Sequence, residues 1–302
     1  MKLQLIHTLD DNIEARWGER VLFRYVYQPR TSAAESPRPY LHPVHTLAGE
    51  LVTIFRPHDH PWHHGISMTS AHLSDQNFWG GATYVRDQGY VQLDNNGRTG
   101  HLAWDALQCD GERALMSESL QWVTQAGETW LSEQRQVAVS EVNTEAGYWV
   151  LEWTTRLTNL ASHELLFGSP TTAGRPLAGY GGLFWRGPRS FTGGQIMAAD
   201  GQAGPQVMGR RARWLAYTGT HDGSAAQSTL IFIDNPTNPR YPTQWFVRDD
   251  PYACASFAFS FDEEFALAPG AELALRSRIV IADGAWSREQ INERVNEYTL
   301  LD

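Results

Sequence analysis

Short stretches of alternating apolar and polar residues, separated by turn-forming pairs, limit this chain more than any other feature. They run through Val21 to Tyr27, Tyr148 to Leu157, Thr229 to Asp234, Ala253 to Phe261 and Leu273 to Ala282. A period of two sends successive side chains to opposite faces of a strand, so each stretch reads as a strand with one buried face. Asp94-Asn95-Asn96-Gly97, Asp110-Gly111, Gly193-Gly194, Asp222-Gly223 and Pro269-Gly270 supply turns between such stretches. Roughly fifteen strand candidates against one helix predict an all-β chain built as a large antiparallel β-sandwich. The helix begins after Ser287, with Gln290 completing a capping box and Ile291, Val295 and Tyr298 at helical spacing. No linker divides the chain, and residues 1–302 read as a single sandwich domain. The Gly/Ala/Gln-rich segment from Gly193 to Gly209 reads as a long loop, a candidate lid.

Hydrophobic residues make up 42% of the 302, enough to fill such a core. The formal net charge is −10, which disfavours nucleic acid as a partner. No apolar stretch is long enough to cross a bilayer, and the N-terminal residues lack the apolar stretch of a signal peptide. With only Cys109 and Cys254 as cysteines, these features predict a cytoplasmic protein with free thiols. The 12 tryptophans exceed what strand packing asks for, unless the sandwich core takes them up.

Seven of the 11 histidines fall between His42 and His72. The densest part is Arg56-Pro57-His58-Asp59-His60-Pro61-Trp62-His63-His64-Gly65. Two prolines stiffen this segment, and imidazoles beside a carboxylate suit proton transfer or metal binding. As an acid–base site, His60, His63 and His64 would act with Asp59 orienting them. As a divalent-metal site, His58, His60, His63 and His64 would be the ligands, although there is no HExxH pattern and no cupin-type glutamate. His42 is carried as a substrate-binding candidate, although loop packing explains it, His45 and His72 at least as well. Asn77, Phe78, Trp79, Gly80 and Gly81 follow, a sequence suited to a pocket wall.

Further on come Gly179-Tyr180-Gly181-Gly182-Leu183-Phe184-Trp185-Arg186-Gly187 and the stretches Asn235 to Arg240 and Pro242 to Arg248. Tyr180, Trp185, Arg186, Arg240 and Trp245 can stack on and hydrogen-bond to a hydroxylated ring. Together with Pro39-Tyr40-Leu41-His42-Pro43 and Asn77-Phe78-Trp79, these motifs resemble the DUF6807 family from about residue 20 to residue 284. The family often carries the name of a methane-oxygenase subunit, PmoA. That activity belongs to a membrane protein and is rejected here, since no segment can span a bilayer. The resemblance implies a protein of carbohydrate catabolism with a galactose-mutarotase-like sandwich.

No G-x-S-x-G element supports a serine nucleophile. Asp59, Asp75, Glu50, Glu152 and Glu164 form no recognisable glycosidase pair. The reading is therefore a carbohydrate-active enzyme, of hydrolase, lyase or epimerase type, using histidine acid–base chemistry on a small-molecule sugar. His42, Asn77, Trp79, Tyr180, Trp185, Arg186, Arg240 and Trp245 would bind the sugar. A non-catalytic sugar-binding sandwich and a metal-dependent enzyme stay open alternatives, as does a homo-oligomer. The reading requires the histidine bend and the Arg186 region to meet at one cavity.

Overall fold

The computed structural model describes residues 1–299, and there the alternating stretches pair into two eight-stranded antiparallel sheets. The first sheet runs, in spatial order, through Leu3–Thr8, Asn12–Trp17, Arg20–Val26, Tyr40–Val44, Ile66–Ser70, Gly181–Arg186, Cys254–Phe257 and Trp245–Arg248. The second runs through Gln195–Ala198, Trp214–Thr220, Gln227–Asp234, Glu272–Asp283, Tyr148–Asn159, Thr129–Asn143, Ala114–Val123 and Arg98–Cys109. The chain is thus the antiparallel β-sandwich that the alternation predicts. Two small sheets, of three strands and two, flank the pair.

The apolar core lies between the large sheets. Strand Ala114–Val123 shows the rule: Ala114, Met116, Glu118, Leu120 and Trp122 point inward, and Leu115, Ser117, Ser119 and Gln121 are less buried. Six tryptophans, at 122, 130, 149, 153, 185 and 245, belong to this core. Each buried indole removes on the order of 200 Å² from water, about 5 kcal/mol as an upper bound. Most of the tryptophan surplus is therefore sandwich packing. Alternation also sends Glu118, Glu133 and Arg135 inward, where Tyr25, His101 and Trp122 complete their hydrogen bonds. Buried charges are tolerated only with partners of this kind.

The helix forms at Arg288–Thr299, and the capping box closes as expected. Gln290 N–H donates to Ser287 Oγ at 3.3 Å, and Ser287 N–H donates to Gln290 Oε1 at 2.8 Å. Ile291, Val295 and Tyr298 pack on the outer face of the second sheet, around Trp214 and Val280. The segment from Gly193 to Gly209 is not a free loop. It forms the strand Gln195–Ala198, which pairs with Trp214–Thr220, and a short helical turn at Gly204–Val207. No helix among the described residues is long and apolar enough to cross a membrane.

A candidate acid–base cavity on the outer face of the first sheet

The histidine bend consists of two consecutive tight turns. His60 N–H donates to the Pro57 carbonyl, and His63 N–H donates to the His60 carbonyl, both at 3.0 Å. Arg56 N–H closes the bend onto the His63 carbonyl at 3.0 Å. With Pro61 following His60, the second turn has the residue that pre-sets its backbone angle. Residues 60 and 63, at the two ends of that turn, aim their rings the same way. The imidazoles stack with centroids 4.6 Å apart and planes 20° from parallel.

Strand Gly181–Arg186 lies beside the bend and is tied to it by Arg186 N–H donating to the Gly65 carbonyl at 2.8 Å. Its odd and even residues part company. Trp185 points into the core, where its indole donates to the Val52 carbonyl. Phe184 and Arg186 point outward. Across the sheet, Arg186 and Arg248 both pair with Cys254, and Phe184 and Phe246 both pair with Ser256. Of these two rows, Phe184, Phe246 and Arg248 reach the base of a cavity of about 310 Å³. His60, His63, Trp62, Trp79, Tyr180, Phe184, Phe246 and Tyr252 line it, with Tyr90, Arg175 and Arg248 among the rest. The Trp62 side chain rests against Gly80 and Gly81, where an added β-carbon would come within 2.6 Å of its Cβ and 2.8 Å of its indole ring, respectively.

The partners of the two rings fix opposite tautomers. Arg186 Nη1 lies 2.8 Å from His63 Nδ1. A guanidinium can only donate, so that nitrogen accepts and the His63 proton sits on Nε2. Asp59 Oδ2 lies 2.7 Å from His60 Nδ1. A carboxylate can only accept, so His60 carries its proton on Nδ1 and leaves Nε2 as a free lone pair. Neither Nε2 has a hydrogen-bond partner among the described residues, and both rings line the cavity. The cavity thus presents a base beside a hydrogen-bond donor.

Electrostatics hold these states in place. Burial, then the adjacent Arg186 charge, pushes His63 well below the ordinary histidine range, so it stays neutral. Burial also lowers His60, with Asp59 opposing the shift. Asp59 is stabilised as a carboxylate: burial works against it, but hydrogen bonds from His60 and Arg189 and the charge of Arg186 prevail. Tyr252 covers Arg186, its ring centre 3.8 Å from the guanidinium carbon.

Other sequence candidates lie elsewhere. His64, next in the chain to His63, turns the opposite way, and its Nε2 lies 3.2 Å from Glu35. His58 faces Arg189 at the surface. His42 packs on Phe55 and bonds to Thr53. Asn77 accepts from the backbone N–H groups of Trp79 and Gly80, shaping the wall from behind. Trp245 sits in the core with its indole bonded to the Ala212 carbonyl. Arg240 is spent on the carbonyls of Phe259, Glu263 and Glu264. The structure therefore brings together His60, His63, Asp59, Trp79, Tyr180 and Arg186. Trp62, Tyr90, Arg175, Phe246, Arg248 and Tyr252 join them without having been singled out.

The donor set does not suit a metal. His58, His60, His63 and His64 turn to four different partners, and no three His, Cys, Asp or Glu side chains converge among the described residues. Nor, among the described residues, does any acid line the cavity. Clefts on the outer face of the second sheet, around Gln136, Glu152 and Thr154, contain no histidine.

Residues 12–296 match the model of a family described as a family of unknown function, DUF6807. No curated protein matches the sequence. Among solved structures, an α-galactosidase from Lactobacillus brevis is similar at 11% identity and a TM-score of 0.41, over 94% of this chain and 40% of that one. A variant GH36 α-galactosidase, AgaA from Geobacillus stearothermophilus in complex with stachyose, is similar at 13% identity and a TM-score of 0.42, over 94% and 41%. This chain spans about two-fifths of the length of those structures.

Proposed function

Because this chain belongs to the DUF6807 family, whose function is unknown, its activity has to come from the cavity, and we propose that it is a carbohydrate-active enzyme that moves a proton on a bound sugar. The observation that carries this reading is the pair of stacked imidazoles in opposite tautomers. His60 Nε2 takes a proton from the sugar. His63 Nε2–H stabilises, by a hydrogen bond, the oxygen on which negative charge develops, and the protonated His60 returns the proton. Asp59 orients His60 and supports its positive charge after transfer. Arg186 keeps His63 in its donor tautomer.

The surrounding rings suit a sugar. Trp79 and Tyr180 stand 4.5 Å apart, and Trp62, Phe246 and Tyr252 add further flat faces. A volume of about 310 Å³ is at the low end for ligand pockets and suits one ring rather than a chain of them. The acid-free lining argues against the two-carboxylate route to glycoside cleavage. Epimerisation, opening of a hemiacetal, or elimination next to a carbonyl each needs only a base and a hydrogen-bond donor.

The test is a panel of monosaccharides incubated with the protein in deuterated buffer and followed by NMR. Exchange, epimerisation or elimination with one sugar, lost in His60→Gln while sugar binding by tryptophan fluorescence persists, supports the reading. Binding without any turnover favours the non-catalytic alternative. Neither binding nor turnover with any sugar overturns the sugar assignment.

A further inference from the structure

The cavity has an unusual charge for this chain. Acids outnumber Lys and Arg by 34 to 24 overall, yet among the described residues the lining contains two arginines and no acid. Arg248 has the least structural employment. Its guanidinium packs over Phe246 at 5.2 Å, and among the described residues it donates to no protein acceptor and pairs with no carboxylate. Asp249 and Asp250 follow it in sequence without forming an ion pair with it. Arg175 is anchored by one nitrogen on the Tyr90 hydroxyl, with its guanidinium 5.0 Å above that ring. Tyr90 in turn bonds to Tyr180 at 2.9 Å, so Arg175 is braced against the cavity wall with its remaining N–H groups unspent.

A planar cation held at an apolar wall with free donors is a receptor for oxygen anions, which it grips through two parallel hydrogen bonds. On a surface of net charge −10, such an anion would be repelled elsewhere, so these positions concentrate the attraction locally. We infer that the sugar taken by this cavity is an acidic one, whose carboxylate or phosphate oxygens are bound by Arg248 and Arg175. The inference rests on the sugar-binding reading above and narrows its substrate class. It also fits the chemistry: on a carboxylated sugar, the neighbouring C–H is the proton a base such as His60 removes, and the arginines offset the charge that then builds on the carboxylate.

Calorimetric titrations of the full chain test it, using D-galacturonate and D-glucuronate, D-galactose and D-glucose, and the 6-phosphates of the last two. The expected result is an acidic sugar bound at least about tenfold more tightly than its neutral parent, with that ratio collapsing towards one in Arg248→Met. The preferred acid, uronate or phosphate, then identifies the anion. Equal affinity for acidic and neutral sugars overturns this inference and leaves the sugar-binding reading standing. A preference that survives in the Arg175→Met, Arg248→Met double variant also overturns it. Binding of no sugar at all defeats the sugar reading, and this inference with it.

Discussion

His72 offers a test of how burial governs this protein's histidines. It lies on the short strand His72–Leu73, paired with Gly168, and its Nε2 is buried without a partner. Burial alone pushes its pKa from 6.5 to about 4. The folded ring thus stays neutral where the unfolded chain would already be protonated. Stability is full above pH 6.5 and is lost as pH falls towards 4. At about 1.4 kcal/mol per pH unit the loss approaches 3 kcal/mol. Water reaches part of the ring, so about 2 kcal/mol is the expected figure. His72→Leu keeps much of the volume and removes an unpaired nitrogen, so near pH 7.5 it should be neutral or stabilising by about 1 kcal/mol. Urea unfolding followed by tryptophan fluorescence measures both proteins between about pH 7.5 and 4.5. The advantage of the variant should grow by about 2 kcal/mol across that range. Both proteins should still weaken in acid, because His42 and His64 are also displaced to about 4. A difference that does not change with pH refutes the reasoning. So does a variant weaker by about 2 kcal/mol at neutral pH, which would mean that the ring has a partner after all.

The other predictions concern the cavity. Arg38 is buried and donates to the carbonyls of Glu35, Ser36, Trp79 and Trp62 and to Ser67 Oγ, joining the two loops that form the cavity wall. Arg38→Met strands those acceptors and should cost about 3–5 kcal/mol in denaturant unfolding; a loss below about 1 kcal/mol would contradict this role. At Gly65, with φ +46°, a β-carbon would lie 2.1 Å from the Leu41 carbonyl oxygen. Gly65→Ala should therefore cost at least about 3 kcal/mol, and an unchanged thermal melt would show that the bend relaxes freely. Asp59→Asn removes the group that raises His60 and also aligns it. The acid limb of kcat/KM should move to lower pH and kcat should fall by about tenfold or more; an unmoved limb would exclude His60 as the base.

The sandwich was legible because alternation and turn residues are local signals, and each strand states its own period. The capped helix was legible for the same reason, since Ser287 and Gln290 sit within one turn. The site was legible only in part. His60, His63 and Asp59 share one bend, and proline spacing marks that bend as rigid. In Phe184-Trp185-Arg186, however, every residue could face either way, and only the register with Ser256 and Cys254 shows that Trp185 faces the core and Arg186 the outer face, where it meets His63. The same ambiguity made Trp245 a candidate and hid Phe246 and Arg248, its outward neighbours in alternation. His64 shares every sequence property of His63 yet turns to Glu35, a direction set by a residue 29 positions away. Tyr252 and Arg175 lie in irregular segments with no pattern to mark them. An arginine with no acidic neighbour in the sequence is too common to single out Arg175.

The assignment of opposite tautomers to His60 and His63 is the claim on which the rest depends, and ¹⁵N NMR of the imidazole nitrogens tests it without any substrate. The expected result is a His63 ring protonated on Nε2 alone and held neutral well below the ordinary histidine range, beside a His60 ring protonated on Nδ1 that gains its second proton below 6.5. A His63 ring carrying its proton on Nδ1, or taking up a second proton near neutral pH, would contradict it.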